Sequence, residues 1–196
     1  ASGGMVIQNF DYEVRSRAGL AYRGDTYFGF FSKAALRDQV GIREAKPYEP
    51  PTAQRALGES FPVPREAPFS ADRWRMLDAV DAWLPEGGPA GLGYIEGSIA
   101  VDPSAWFYAA HFYQDPVWPG SLGLESFLQL LKIAALRRWG GGKDARFESM
   151  SLGRKHQWTY RGQILPAGGK VRVVGWITGI DEARRELVAE GCLRVD

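Results

Sequence analysis

The sequence predicts an α+β fold in which one long buried helix lies among antiparallel strands. Residues 121–139 are apolar around nearly the whole helix circumference, which is typical of a helix buried on all sides. Strand patterns flank this segment, and a curved sheet wrapped around the helix is the economical way to bury every face. The chain has 196 residues, of which 45% are hydrophobic and 13% aromatic, so it has the length of about one domain with a real core.

Charge and composition exclude several classes of protein. The 24 Lys and Arg residues balance 23 Asp and Glu residues, so the chain lacks the basic field of a nucleic-acid-binding protein. The single cysteine, Cys192, excludes an intrachain disulfide and a cysteine-based zinc site, and two histidines argue against a structural metal. No apolar run approaches the ~20 residues that a membrane helix needs. We therefore expect a soluble cytoplasmic protein.

The first third of the chain contains a strand-rich region and a proline-rich region. Phe10, Tyr12 and Val14 alternate with charged residues, which predicts strands over 5–31 with a turn at 16–19, followed by a short helix within 33–43. Six prolines between residues 46 and 68 argue against a regular helix or a central strand there. This segment is predicted to be an extended linker, or a strap over a surface.

The remainder supplies the other elements of the predicted fold. Strands at 76–84 and 93–101 form a hairpin, and a short helical turn follows within 103–109. The long helix is predicted to be capped by Ser121 and ended by the glycines at 140–142. Further strands are predicted near 147–163, 170–180 and 186–195.

Two neighbouring features could carry chemistry. Ser121, Glu125, Gln129 and Lys132 share one stripe of the helix, which either faces water or forms a site. His111 begins a loop rich in proline that leads into the helix at Gly120, where backbone N–H groups at a helix start suit an oxyanion. A histidine base, a carboxylic acid and an oxyanion site suit proton abstraction next to a carbonyl. A triad of Ser121, His111 and Asp115 is the weaker alternative, because the sequence has no Gly-x-Ser-x-Gly elbow.

The segment HFYQDPVWPGSLGLE, residues 111–125, closely resembles the active-site motif of FabA/FabZ-type 3-hydroxyacyl-ACP dehydratases. The resemblance extends to DPSAWFYAAH at 102–111 and RGQILP at 161–166, and it covers roughly residues 70–196. It implies the hot-dog fold, a long helix at about 121–139 wrapped by an antiparallel sheet. The chain looks most like the dehydratase regions of polyunsaturated fatty acid synthases and iterative polyketide synthases.

The resemblance implies a role for each matching residue. His111 matches the catalytic histidine, Glu125 the acidic partner, and Gly120 the amide that binds the thioester carbonyl, with Ser121 beside it. Residues implied to line the substrate tunnel are Phe112, Val117, Trp118 and Pro119. The implied reaction removes water from a (3R)-3-hydroxyacyl group on acyl carrier protein to give the trans-2-enoyl thioester, with no metal and no cofactor. Because the histidine of one unit faces the acid of another in this family, a homodimer or a tandem hot-dog partner is implied.

Two other functions stay open at this point: a non-catalytic hot-dog domain that binds acyl chains or acts as a scaffold, and a hot-dog thioesterase. The predicted domains are closing strands of a hot-dog unit at 1–45, the linker at 46–69 and the dehydratase domain at 70–196. Residues 20–31 are expected to pair with the 170–195 strands of their own chain or of a neighbour's.

Side chains outside the motif have weaker interpretations. A basic patch for an acidic carrier protein is one interpretation of six cations, and ordinary surface charge is the other. These cations are Arg137, Arg138, Lys143, Arg154, Lys155 and Arg161. His156 is expected to be structural or on the surface, and Cys192 to be a small core residue.

Overall fold

The computed structural model describes residues 5–37, 41–69, 72–148 and 150–196. The chain divides into two compact units, Ala1–Arg43 and Glu44–Asp196, and each is described separately below. The α+β arrangement predicted from the sequence is confirmed in the second unit.

The first unit is a long antiparallel hairpin followed by a short helix. Strands β1 (Met5–Ser16) and β2 (Gly19–Phe31) pair from Met5 with Phe31 to Ser16 with Gly19, so the predicted strands and turn are confirmed. The register places Val6 opposite Phe30, and the Phe10 ring packs on the same face against Phe28, with centroids 5.7 Å apart. Helix α1 covers Lys33–Arg37; residues 38–40 of the predicted helix lie outside the described residues, and 41–43 are not helical.

The expectation that residues 20–31 pair with the 170–195 strands of the same chain is wrong. β2 forms a two-stranded sheet with β1, and the second unit has a sheet of its own. Hairpin closure explains this outcome, because a two-residue turn brings β1 and β2 together with little loss of chain entropy. Pairing with a neighbour's strands stays a prediction.

The second unit contains a five-stranded antiparallel sheet in the order β3-β4-β5-β6-β7. The strands are β3 (Glu59–Pro62), β4 (Ala79–Leu84), β5 (Tyr94–Ala100), β6 (Lys170–Asp181) and β7 (Glu186–Val195). The helices are α2 (Thr52–Arg55), α3 (Trp106–Ala110) and α4 (Gly120–Trp139), with 3₁₀ turns at Asp72–Trp74 and Gly142–Asp144. The predicted 76–84 strand therefore begins three residues late, at Ala79.

The long helix α4 lies against β5, β6 and β7 and forms the main core with them. Its Leu130 and Ala134 are fully buried, as is Ile95 of β5. The opposite face of β5 is also buried, because Tyr94 belongs to a smaller cluster that Tyr48 packs against. Both faces of β5 are thus removed from water: its first five residues, Tyr94 to Ser98, are all buried, including the polar Glu96 and Ser98.

The proline-rich segment is more regular than predicted. The prediction that it holds no helix is wrong over Thr52–Arg55, because Pro50 and Pro51 precede this single turn and no proline interrupts it. β3 is an edge strand of the sheet and ends at Pro62, where a missing N–H does little harm.

Arg55 fastens this segment to the sheet. Its Nε and Nη2 donate to the two carboxylate oxygens of Glu96, at 2.9 and 2.7 Å, and Glu96 is almost completely buried. The segment therefore packs against the sheet face that α4 leaves free.

The predicted strand near 147–163 is wrong for the residues that the structure describes there, 147–148 and 150–163, which contain no strand. Trp158 packs on Phe127 of α4, with ring centroids 6.1 Å apart, and contributes to the helix side of the core. Gly162 has a φ of 141°, which interrupts an extended β run. This part of the segment therefore covers the helix instead of adding a strand to the sheet.

Candidate active site

His111 lies where α3 ends and a loop toward α4 begins. Its backbone N–H donates to the Phe107 carbonyl at 3.0 Å, and its ring Nδ1 lies 3.1 Å from the Val117 carbonyl oxygen. Because a carbonyl oxygen only accepts, Nδ1 must carry the hydrogen, and the neutral ring then has its lone pair on Nε2. The site thus holds a histidine whose Nε2 can act as a base.

The loop between His111 and the helix is fixed from both sides. Gln114 adopts a φ of 56° in the turn that returns the chain toward His111. The Trp118 N–H donates to the Ile164 carbonyl at 2.9 Å, and the Trp118 ring packs on Phe107 with centroids 4.6 Å apart. The carbonyl that orients His111 therefore lies one residue before a buried anchor.

The residues predicted to line a tunnel fall into two groups. Val117, Trp118 and Pro119 are buried, whereas Phe112 is 54% exposed and stacks on the His111 ring with centroids 3.9 Å apart. Their role as tunnel walls stays a prediction.

Helix α4 begins at Gly120, with Pro119 as its N-cap. The prediction that Ser121 caps the helix is wrong: Ser121 is already inside the first turn and is exposed. The amides of Leu122 and Gly123 both donate to the Pro119 carbonyl, at 3.0 and 3.2 Å. The amides of Gly120 and Ser121 precede them and have no acceptor within the helix, so they suit a developing negative charge.

Tyr160 is a neighbour of the helix start that the sequence did not indicate. A Cβ atom at position 120 would lie 2.8 Å from the Tyr160 Cδ1 and closer still to its Cε1 and Cζ. Position 120 therefore needs glycine because an aromatic ring approaches the backbone there. Tyr160 lies outside the matching motif, and only the nearby RGQILP segment pointed to this region.

Glu125 lies one turn further along α4 and is held by two side chains of the same helix. Its Oε1 accepts hydrogen bonds from Gln129 Nε2 at 3.0 Å and from Lys132 Nζ at 3.2 Å. Gln129 is buried; its Oε1 accepts the Met76 N–H at 2.9 Å, and its Nε2 also donates to the Trp74 carbonyl at 2.8 Å. From Glu125 to Lys132 the polar stripe is therefore a hydrogen-bonded group against the 74–76 segment, so the interpretation that the stripe faces water is wrong for these residues, whereas Ser121 is exposed.

The alternative triad gains no support from the geometry. In the described part of the chain, the hydrogen bond of the His111 ring goes to the Val117 carbonyl and not to Ser121 or Asp115. Ser121 and Asp115 are both exposed. Among the described residues, the candidates that stay are the His111 ring, the two helix-start amides and the Glu125 carboxylate.

Comparison with known proteins identifies the kind of domain that the motif at residues 111–125 resembles. A model of the FabA-like domain family matches residues 69–196. The chain belongs to the FabA-like domain family. The boundary lies one residue from the predicted start at 70, and the hot-dog fold is confirmed by the long helix α4 and its antiparallel sheet.

One relative extends beyond the FabA-like domain. A polyunsaturated fatty acid synthase polypeptide from a Thraustochytrium species is 29% identical over 218 aligned residues. The alignment covers 99% of this chain but 14% of that protein. The similarity therefore includes the first unit, and this chain matches a small part of a much longer protein.

The candidate side chains outside the motif form ion pairs, lie on the surface or pack beside the core. Within the predicted basic patch, ion pairs join Arg137 to Glu59, Arg138 to Glu182 and Arg154 to Glu186. His156 is exposed and Cys192 is half-buried beside the smaller core cluster. Among the described residues, no helix is long and apolar enough to cross a membrane, and the cytoplasmic location stays a prediction.

Proposed function

We propose that this FabA-like domain removes water from a (3R)-3-hydroxyacyl thioester on acyl carrier protein to give the trans-2-enoyl thioester. The observation that carries the proposal is the hydrogen bond from His111 Nδ1 to the Val117 carbonyl, which leaves Nε2 as the base. Family membership and the similarity to a polyunsaturated fatty acid synthase support the same chemistry.

In the proposed reaction, His111 Nε2 takes the proton from the carbon next to the thioester carbonyl. The electron pair of that C–H bond moves toward the carbonyl, and the charge on its oxygen is stabilised by the helix-start amides at Gly120 and Ser121. The carbon–carbon double bond then forms as the bond from C3 to the hydroxyl breaks. The departing hydroxyl receives its proton either from Glu125 in its protonated form, or from His111 while the Glu125 carboxylate orients the hydroxyl, so that it leaves as water.

A complete site is proposed to need two hot-dog units, with His111 of one unit near the acid of the other. Two adjacent aromatic residues beside His111, Phe112 at 54% and Tyr113 at 90% exposure, support this arrangement, because contiguous exposed apolar surface is typical of an interaction site. The partner unit would come from a second copy or from a tandem neighbour. Light scattering of the active protein is expected to give a dimer, and a fully active monomer would contradict it.

The test compares His111→Ala with His156→Ala, a matched change at an exposed histidine. Each protein is incubated with 3-hydroxyacyl and enoyl thioesters, and the loss or addition of water is followed by mass. We expect H111A to lose about 10²–10⁴-fold in rate, as is typical when a general base is removed, while H156A keeps its activity. Release of free acid would indicate a thioesterase, and a wild-type chain without turnover would favour a non-catalytic acyl-binding domain.

A further inference from the structure

Lys132 is the ammonium group that contacts Glu125. It lies seven residues further along α4, two helical turns toward the C-terminus, and its Nζ is 3.2 Å from the Glu125 Oε1. Helical side chains lean toward the N-terminus, which brings the lysine back over Gln129 to reach the carboxylate. Only 19% of the Lys132 side chain and 27% of the Glu125 side chain are exposed. A lysine this buried is uncommon unless it has a charged partner.

The neighbouring cations are engaged elsewhere. The segment that packs against this part of α4 through Gln129 carries Arg73 and Arg75. Arg73 lies over the Trp106 ring, 4.6 Å from its centroid, and Arg75 pairs with Asp78 at 3.5 Å. Among the residues that the structure describes, Lys132 is the only cation within ion-pair distance of Glu125.

The two donors meet the same oxygen of Glu125. Gln129 and Lys132 both bond to Oε1, so the other oxygen, Oε2, is the one available to a bound molecule. Gln129 alone could turn the carboxylate, but the amide carries no charge, whereas the ammonium group also balances the carboxylate's negative charge.

We infer that Lys132 is a positioning residue for Glu125, which holds Oε1 and thereby presents Oε2 to the departing hydroxyl of the substrate. This inference rests on the proposed function, since it assigns a second residue to the same dehydration. Lys132 acts through Glu125 and touches no reacting atom. Its loss is therefore expected to lower kcat through misplacement of the carboxylate, without a matching change in KM.

The experiment measures kcat, KM and melting temperature for Lys132→Met and Lys132→Arg, with 3-hydroxyacyl thioester as substrate. K132M is expected to lose about ten- to hundredfold in kcat, and K132R, which keeps the charge, to recover most of it. Lys170→Met is the matched control, because it removes a lysine that pairs with Asp81 at 3.7 Å on the sheet. K170M is expected to keep its kcat. Lys132→Gln, which keeps a donor without the charge, replaces K132M if that variant does not fold.

The deciding measurement is the same substitution in a Glu125→Gln background. Because Lys132 acts through Glu125, the kcat of the double variant K132M/E125Q is expected to lie less than about threefold below the kcat of E125Q. If the wild type is active and K132M has a normal kcat, the inference about Lys132 is overturned while the proposed function stands. The same holds if the double variant loses the product of the two single losses in kcat. A wild-type chain without dehydration would overturn the proposed function and this inference with it.

Discussion

A methyl group added at the start of α4 is expected to separate activity from stability. In Gly120→Ala the new Cβ would lie 2.8 Å from the Tyr160 Cδ1, whereas carbon atoms in good contact are about 3.5 Å apart. Because the Tyr160 Cε1 and Cζ would be closer still, the ring and the helix start must move apart by about 1 Å. Trp158 and Ile164 anchor the Tyr160 segment on either side, so the displacement is shared with the Gly120 backbone.

The two consequences differ in size. Tyr160 is 51% exposed and can swing partly into water, so the loss of stability falls at the low end for overpacking, about 1 kcal/mol. In a chain of this length that lowers the melting temperature by about 2–4 °C. A misplacement of about 1 Å costs on the order of 10²-fold in rate, so a displacement of the candidate oxyanion amides by about half of that is expected to cost roughly tenfold.

Gly123→Ala is the control on the same helix. Its Cβ would meet only the Leu193 Cδ2, at 3.1 Å, and alanine is a better helix former, so we expect nearly unchanged rate and stability. The rate of dehydration and the melting temperature are measured for both variants and for Gly120→Ala with Tyr160→Ala. The double variant removes the overlap and is expected to reach about the activity of Y160A alone. Equal behaviour of G120A and G123A would refute the reasoning.

Three further outcomes are expected. Glu125→Gln keeps the size of the side chain and should lower the dehydration rate about 10²–10⁴-fold, with a modest drop in melting temperature because Lys132 loses its charged partner; a normal rate would remove Glu125 from the mechanism. Gln129→Leu leaves the Met76 N–H and the Trp74 carbonyl without their partner, and urea unfolding should show a loss of about 2–4 kcal/mol that the exposed Gln157→Leu does not share. Burial alone would raise the pKa of Glu96, but hydrogen bonds from Arg55 and Tyr94 hold it below its usual value. Arg55→Met should therefore cost about 2 kcal/mol at neutral pH, since Tyr94 and Arg172 still contact the carboxylate. Because the pKa of Glu96 is lower in the folded protein than in the unfolded chain, the stability that the Arg55–Glu96 pair contributes is present above the unfolded-state pKa of about 4.3 and is lost as the pH falls through the folded-state pKa. The free energies of unfolding of wild type and R55M should therefore converge in acid. A difference between them that stays constant down to low pH would contradict the pairing.

The candidate site was largely predictable because its parts are close in sequence. His111, Gly120 and Glu125 lie within one stretch of fifteen residues, where loop and helix geometry act over short distances. The helix itself was predictable because its apolar pattern, its entry at Pro119-Gly120 and its glycine stop all agree. Similarly, the β1–β2 hairpin follows from alternation and a two-residue turn.

The sequence by itself thus determined the long helix, most strands and the order of His111, Gly120 and Glu125, the proposed base, oxyanion site and acid, along the chain. The tertiary structure decided what holds them: Gln129 binds backbone 53 and 55 residues away, Arg55 reaches Glu96 across 41 residues, and Tyr160 covers Gly120. It also decided that the aromatic residues near Trp158 cover a helix instead of forming a strand. Local patterns show which face of an element is apolar, but the partner of that face is chosen by the free energy of long-range packing, which periodicity along the chain does not encode.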